Sequence, residues 1–170
     1  MSQLLLMRHA KSDRKSQVGS DIERPLNKRG QRDAPRMGQW LKALGLVPDV
    51  ILSSPAVRAR QTADAVAKAL GFDTAQIGYS DALYLADRQT LLSQLAGMSG
   101  TGSRVLLVAH NPGMDDLVNW LASEPPPLAE NGKLMTTAAV ALFELPGEGF
   151  QAKKGQGLLQ QLMRPRDLPE

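Results

Sequence analysis

The chain has 170 residues, enough for one domain with a sizeable core and too few for two comfortable ones. Its 42% hydrophobic and 22% charged residues describe a globular protein, and the absence of cysteine excludes disulfides, thiol catalysis and thiolate metal sites. The net charge is +3, no apolar run is long enough to span a membrane, and no basic segment leads into an apolar stretch at the N-terminus, so a cytoplasmic location is expected.

In chain order, Leu4-Leu5-Leu6-Met7 is a short, non-alternating apolar run, which suits a strand buried on both faces of a parallel sheet. It ends in Arg8-His9. The polar stretch 12–26 has no period and reads as a long loop over the strand end. A helical pattern follows, with Ala34, Met37, Leu41 and Leu44 on one face and Gly45 as terminator. Its start has two readings: Asn27 caps a helix that kinks at Pro35, or Asp33 caps a fresh one.

Val50-Ile51-Leu52-Ser53 reads as a second core strand, and Ser54-Pro55 as a serine cap with proline in the first helical position. The helix expected there runs to about Leu70 with Ala59, Ala63, Val66, Ala67 and Leu70 inward, and Gly71 ends it. Asp87 can cap a helix carrying Leu91, Leu92 and Leu95. A Gly/Ser-rich loop over 97–102 precedes the apolar strand 105–109, which leads into His110-Asn111-Pro112-Gly113. Asn111-Pro112 repeats the cap-plus-proline pattern before a helix with Met114, Leu117, Val118 and Leu121 on one face. After a proline-rich loop over 124–133, strands at 138–145 and 158–163 complete the sheet. Helices alternating with buried strands predict a three-layer α/β/α sandwich with a mostly parallel central sheet, as one domain over 1–170.

Ligands in such sheets gather beyond the carboxyl ends of the strands. The chain has two histidines, and each follows an expected core strand. Arg8, His9, Arg58 and His110 all fall at strand ends or just after them. Taken singly, each has a plain structural reading: Arg58 as an exposed helix arginine, His110 as a core histidine bonded to a loop carbonyl. Together they describe an anion site. Guanidinium forks match phosphoryl oxygens, helix N-termini can add to the field, and a neutral imidazole can attack phosphorus. No cofactor is implied, and no HExxH or paired-carboxylate spacing supports a metal site.

Leu6-Met7-Arg8-His9-Ala10-Lys11-Ser12 resembles the Arg-His signature of the histidine phosphatase (phosphoglycerate mutase-like) superfamily, and in particular its small SixA-like branch of phosphohistidine phosphatases. Arg24-Pro25-Leu26-Asn27-Lys28-Arg29-Gly30, Ser53-Ser54-Pro55-Ala56-Val57-Arg58-Ala59-Arg60-Gln61-Thr62 and His110-Asn111-Pro112-Gly113 are similar to its other blocks, in the same order. Met135-Thr136-Thr137-Ala138 and Arg164-Pro165-Arg166-Asp167-Leu168 extend the resemblance over nearly the whole chain. The resemblance implies a phosphoglycerate mutase-like fold and a phosphohistidine intermediate on His9, with Arg8, Arg58 and His110 around the phosphate. Ala10 stands where many members have glycine, a small residue in either case. The mutases and larger phosphatases use a mid-chain carboxylic acid as proton donor. Here only Asp81 and Asp87 lie in that region, and neither sits in such a motif. Asp81 reads as a surface loop carboxylate and Asp87 as a helix cap.

A site without a strong acid favours a leaving group that departs readily, such as the imidazole of phosphohistidine. The leading expectation is a metal-independent phosphatase acting on a phosphorylated protein, with a phosphotransfer protein as one candidate partner. The alternatives are a small-molecule phosphomonoesterase and a non-catalytic phosphate-binding module. Lys11, Arg14, Lys15, Arg24, Lys28, Arg29, Arg32 and Arg36 crowd the first 36 positions. They read either as a solvated basic face or as a positive rim for a phosphorylated or acidic partner. At 4% aromatic residues, with no stacking motif, nucleic acid is not an expected partner. No dimerisation element is visible, and a monomer is expected.

Overall fold

The structure, a computed structural model, describes residues 1–17 and 19–169, so position 18 of the expected loop and the last position of the expected domain lie outside the described residues. The elements are β1 (Ser2–Arg8), α1 (Lys28–Ala43), β2 (Val50–Ser53), α2 (Val57–Leu70), β3 (Gly78–Tyr79), α3 (Arg88–Ala96), β4 (Arg104–Ala109), α4 (Gly113–Leu121), β5 (Val140–Leu145) and β6 (Leu158–Met163). The strands form one sheet in the order β3-β2-β4-β1-β5-β6. The β1–β4, β2–β4 and β2–β3 pairs are parallel, while β5 runs antiparallel to both β1 and β6.

The apolar run of β1 is explained by its place in the middle. Leu5 and Met7 face α1 and α2, in a core with Ile51, Leu106, Val108, Met37, Leu41 and Val66. Leu4 and Leu6 face α3 and α4, in a second core with Leu107, Leu117, Val118, Phe143 and Phe150. All four β1 side chains are 0% exposed, and burying each such side chain is worth roughly 1.5–3 kcal/mol. The three-layer α/β expectation is therefore met. Among the described residues, no helix is long and apolar enough to cross a membrane.

Local differences from the sequence reading have physical causes. α1 is one helix capped by Asn27, whose Oδ1 accepts from the Gly30 amide at 2.9 Å, with Pro35 inside it. Asp33 is no cap. It is a buried carboxylate paired with Arg29, Arg32 and Arg36. A Cβ on Gly30 would stand 2.2 Å from the Lys11 carbonyl oxygen, so only glycine lets α1 start against the backbone after β1. Leu44 is exposed, not inward: the helix ends at Ala43, Gly45 turns the chain at φ +71°, and Leu46 is tucked in instead.

The Ser54-Pro55 cap reading is also corrected. α2 begins at Val57 behind Ala56, because the Ser54 amide still follows the sheet, donating to the Val108 carbonyl at 3.0 Å. The Asn111 cap is likewise displaced. Pro112 is the last residue before α4, the Asn111–Pro112 peptide is cis, and Asn111 Oδ1 accepts from the Asp115 amide at 3.0 Å. The strand expected at 138–145 begins at Val140. Ala138 sits at φ +64° and gives its amide to the carbonyls of Arg8 and His9.

Candidate active site

β1 and β4 are parallel neighbours in register, from Gln3 opposite Arg104 to Arg8 opposite Ala109. The residues after each strand therefore emerge side by side. The His9 amide donates to the Ala109 carbonyl at 3.1 Å, and the His9 and His110 ring centroids lie 5.1 Å apart. β2 flanks β4 on its other edge, which brings Ser54 against His110 and starts α2, with Arg58 as its second residue, over the same strand ends. Arg8, His9, Arg58 and His110 share one cleft of about 260 Å³. All four expected residues converge.

The histidines are held in distinct states. His9 Nδ1 donates to the Ala10 carbonyl at 2.7 Å, and among the described residues nothing hydrogen-bonds its Nε2. Burial, reinforced by His110, Arg58 and Arg8, pushes the His9 pKa down to about 3, although the Ala10 carbonyl pulls the other way. The ring is thus neutral at physiological pH, with its proton on Nδ1 and a lone pair on Nε2. His110 Nε2 lies 2.7 Å from Ser54 Oγ. Burial, then the Arg58 charge, lowers the His110 pKa to about 4, against the pull of Asp21. With the Ser54 hydroxyl donating to Nε2, the His110 proton sits on Nδ1, which is buried without a protein acceptor.

That orphan donor is not alone. Arg8 Nε, Arg24 Nε and Arg58 Nε are also buried without a protein partner, and all four residues line the cleft. A phosphoryl group seated in the cleft would meet a wall dominated by guanidinium and imidazole side chains. Arg8 is anchored by its Nη1, which donates to the Met135 carbonyl at 3.0 Å. Arg58, 2% exposed, donates to the Asp21 carbonyl at 2.8 Å and to Asp21 Oδ2 at 3.0 Å.

Asp21, Arg24, Tyr84 and Ser54 are site components that the sequence reading missed. Asp21 comes from the loop after β1 and accepts from the Tyr84 hydroxyl as well as pairing with Arg24 at 3.0 Å. The Tyr84 hydrogen bond and then Arg58 hold its carboxyl below the usual range. Tyr84 also meets the His110 ring edge-on at 5.6 Å. Arg24 and Ser54 stood in blocks that carried the resemblance, but no local signal marked Asp21 or Tyr84. Asp81 opens a 3-10 turn, Asp87 Oδ1 caps α3 by accepting from the Thr90 amide at 2.9 Å, and neither lines the cleft. Among the described residues, no group of three or more histidines and carboxylates converges to hold a metal ion.

The family model for the histidine phosphatase superfamily (branch 1) matches residues 4–84, a span that holds Arg8, His9 and Arg58. Phosphohistidine phosphatase SixA of Escherichia coli is 29% identical over 148 residues, covering 86% of this chain and 88% of that protein. An uncharacterised protein of Mycobacterium tuberculosis is 32% identical over 164 residues, covering 94% of this chain and 100% of the relative. A solved structure of the protein histidine phosphatase SixA with tungstate superposes with a TM-score of 0.79 at 28% identity, covering 98% of this chain and 99% of that one. Paired histidines at the ends of adjacent parallel strands, inside this fold and among these relatives, place the chain in the histidine phosphatase superfamily, with SixA phosphohistidine phosphatases among its relatives.

Proposed function

We propose that the protein is a phosphatase that works through a phosphohistidine intermediate on His9 and acts on phosphohistidine in proteins. The His9 Nε2 lone pair attacks phosphorus and forms an N–P bond. The substrate's own P–N bond breaks, its electron pair leaving with an imidazole that departs neutral because its other ring nitrogen already carries a proton. Water then attacks the phosphorus on His9, the electron pair returns to Nε2, and inorganic phosphate is released with the water's proton passing to solvent. Arg8, Arg58 and His110 hold the equatorial oxygens through both steps, where charge stabilisation matters most.

One observation carries the choice of substrate. Among the described residues Asp21 is the one carboxylate lining the cleft, and its hydrogen bonds from Tyr84 and Arg58 keep it ionised. It cannot protonate an alkoxide. An imidazole leaving group needs that help least, and the similarity to SixA phosphohistidine phosphatases agrees. The test compares a phosphohistidine peptide with the matching phosphoserine peptide. General acid catalysis is worth about 10²–10⁴-fold, so kcat/KM should favour phosphohistidine by about a thousandfold. Equal turnover of the two would refute the reading and favour a small-molecule or general phosphomonoesterase.

A further inference from the structure

The cleft that holds the histidines is not the largest on the molecule. A neighbouring one of about 710 Å³ is lined by five arginines, Arg29, Arg32, Arg36, Arg164 and Arg166, against three carboxylates, Asp33, Glu130 and Asp167. Arg29, Arg32 and Arg36 recur on one face of α1, spanning about 10 Å along the helix. Asp33, beneath them, is 1% exposed and shared among all three at 3.3–3.6 Å, so one buried charge serves three guanidiniums. Arg32 and Arg166 keep 65% and 75% of their side-chain surface in solvent, and Arg166 meets Glu130 only at 3.8 Å. Arg164 is buried, its guanidinium spent on the Leu134 and Pro127 carbonyls, and it forms the wall.

The two clefts adjoin. Thr136 lines one and Thr137 the other, and Lys11 of the histidine cleft backs onto the start of α1 beside Arg29 of the larger one, its carbonyl oxygen 2.2 Å from where a Gly30 Cβ would stand. Positive charge therefore continues from the phosphoryl site along one side of its mouth. The rest of the molecule must carry the compensating negative charge, because the whole chain is only +3.

We propose that this arginine groove is the docking surface for an acidic stretch of the phosphoprotein substrate, lying next to the phosphorylated histidine. The inference rests on the phosphohistidine reading above and adds where the partner binds and by what chemistry. A row of guanidiniums about 10 Å long exceeds the reach of one phosphate and matches several carboxylates on an extended segment. The groove also explains why so small an enzyme can recognise a protein without an inserted lid: charge complementarity sets encounter and register.

Two synthetic peptides with the same central phosphohistidine test this, one flanked by four glutamates and the other by four glutamines. Wild type should show about tenfold higher kcat/KM on the glutamate peptide, as expected for a few exposed ion pairs acting together, and high salt should erase the difference. Arg32→Glu/Arg166→Glu should abolish the preference and leave the glutamine peptide unchanged. Equal rates on both peptides by wild type would overturn the docking surface and leave the phosphohistidine reading intact. A variant slowed equally on both would overturn it as well, by assigning these arginines to the fold. Turnover of neither peptide by wild type would remove the phosphohistidine reading and the docking surface together.

Discussion

Acidifying the protein from pH 7 to pH 5 should cost it a large share of its stability, and the two histidines should account for most of that loss. His9 is 7% and His110 2% exposed, so solvent screening scarcely softens their environment. Their pKa values fall from 6.5 in the unfolded chain to about 3 and about 4 in the folded protein. Because the folded values are depressed, the unfolded chain binds the extra protons. Stability is then fully present above pH 6.5 and is lost as pH falls toward the folded values. Between pH 7 and pH 5 each unfolded histidine becomes almost fully protonated while its folded counterpart stays neutral, which costs about 2 kcal/mol per residue and about 4 kcal/mol together. A loss of that size is a substantial part of a typical total of about 5–15 kcal/mol. The carboxylates held below their usual range, Asp21, Asp49 and Asp87, contribute only at lower pH. Urea denaturation at pH 5, 6 and 7, in a buffer free of phosphate, measures the slope. His9→Gln and His110→Gln should each remove about half of it. A wild-type stability that stays flat over this range would refute the buried, neutral state of the pair.

Other predictions follow from individual contacts. Ser54→Ala removes the hydroxyl that fixes the His110 tautomer and should lower kcat/KM about tenfold, with Ser54→Thr restoring it; equal loss in both variants would contradict a hydrogen-bonding role. Asp21→Asn takes the charged partner from Arg58 while keeping its backbone carbonyl, and should reduce kcat/KM by roughly tenfold or more; unchanged kinetics would show that Arg58 needs no carboxylate to hold its place. Gly30→Ala drives a Cβ to 2.2 Å from the Lys11 carbonyl oxygen and should destabilise by about 1–3 kcal/mol in urea titrations, a cost that an unshifted midpoint would rule out.

The sheet and the four converging residues were legible because each rests on a strong local signal. A non-alternating apolar run reads as a central strand, and a polar pair at its end reads as a site. Parallel register then does the rest, since His9 and His110 must emerge together once β1 and β4 are neighbours. Asp21 and Tyr84 were not legible. Neither ends a strand, and their partnership with Arg58 depends on how an aperiodic loop folds back over α2. β3 was invisible because two residues carry no period. Ser54 reads as a helix cap because a serine before a proline has the same local pattern whether its hydroxyl serves an amide or an imidazole. Here it serves both, accepting from the Ala56 amide at 3.2 Å and reaching His110 at 2.7 Å. Local pattern cannot see a partner 56 residues away.

The central claim is a covalent phosphohistidine on His9. Wild type and His9→Ala should be mixed with a radiophosphate-labelled phosphohistidine peptide and quenched within milliseconds, with the label then tested for acid and alkali stability. The account predicts a transient, acid-labile and alkali-stable label on wild type, none on His9→Ala, and no phosphate release by the variant. Phosphate release by His9→Ala at the wild-type rate would contradict it.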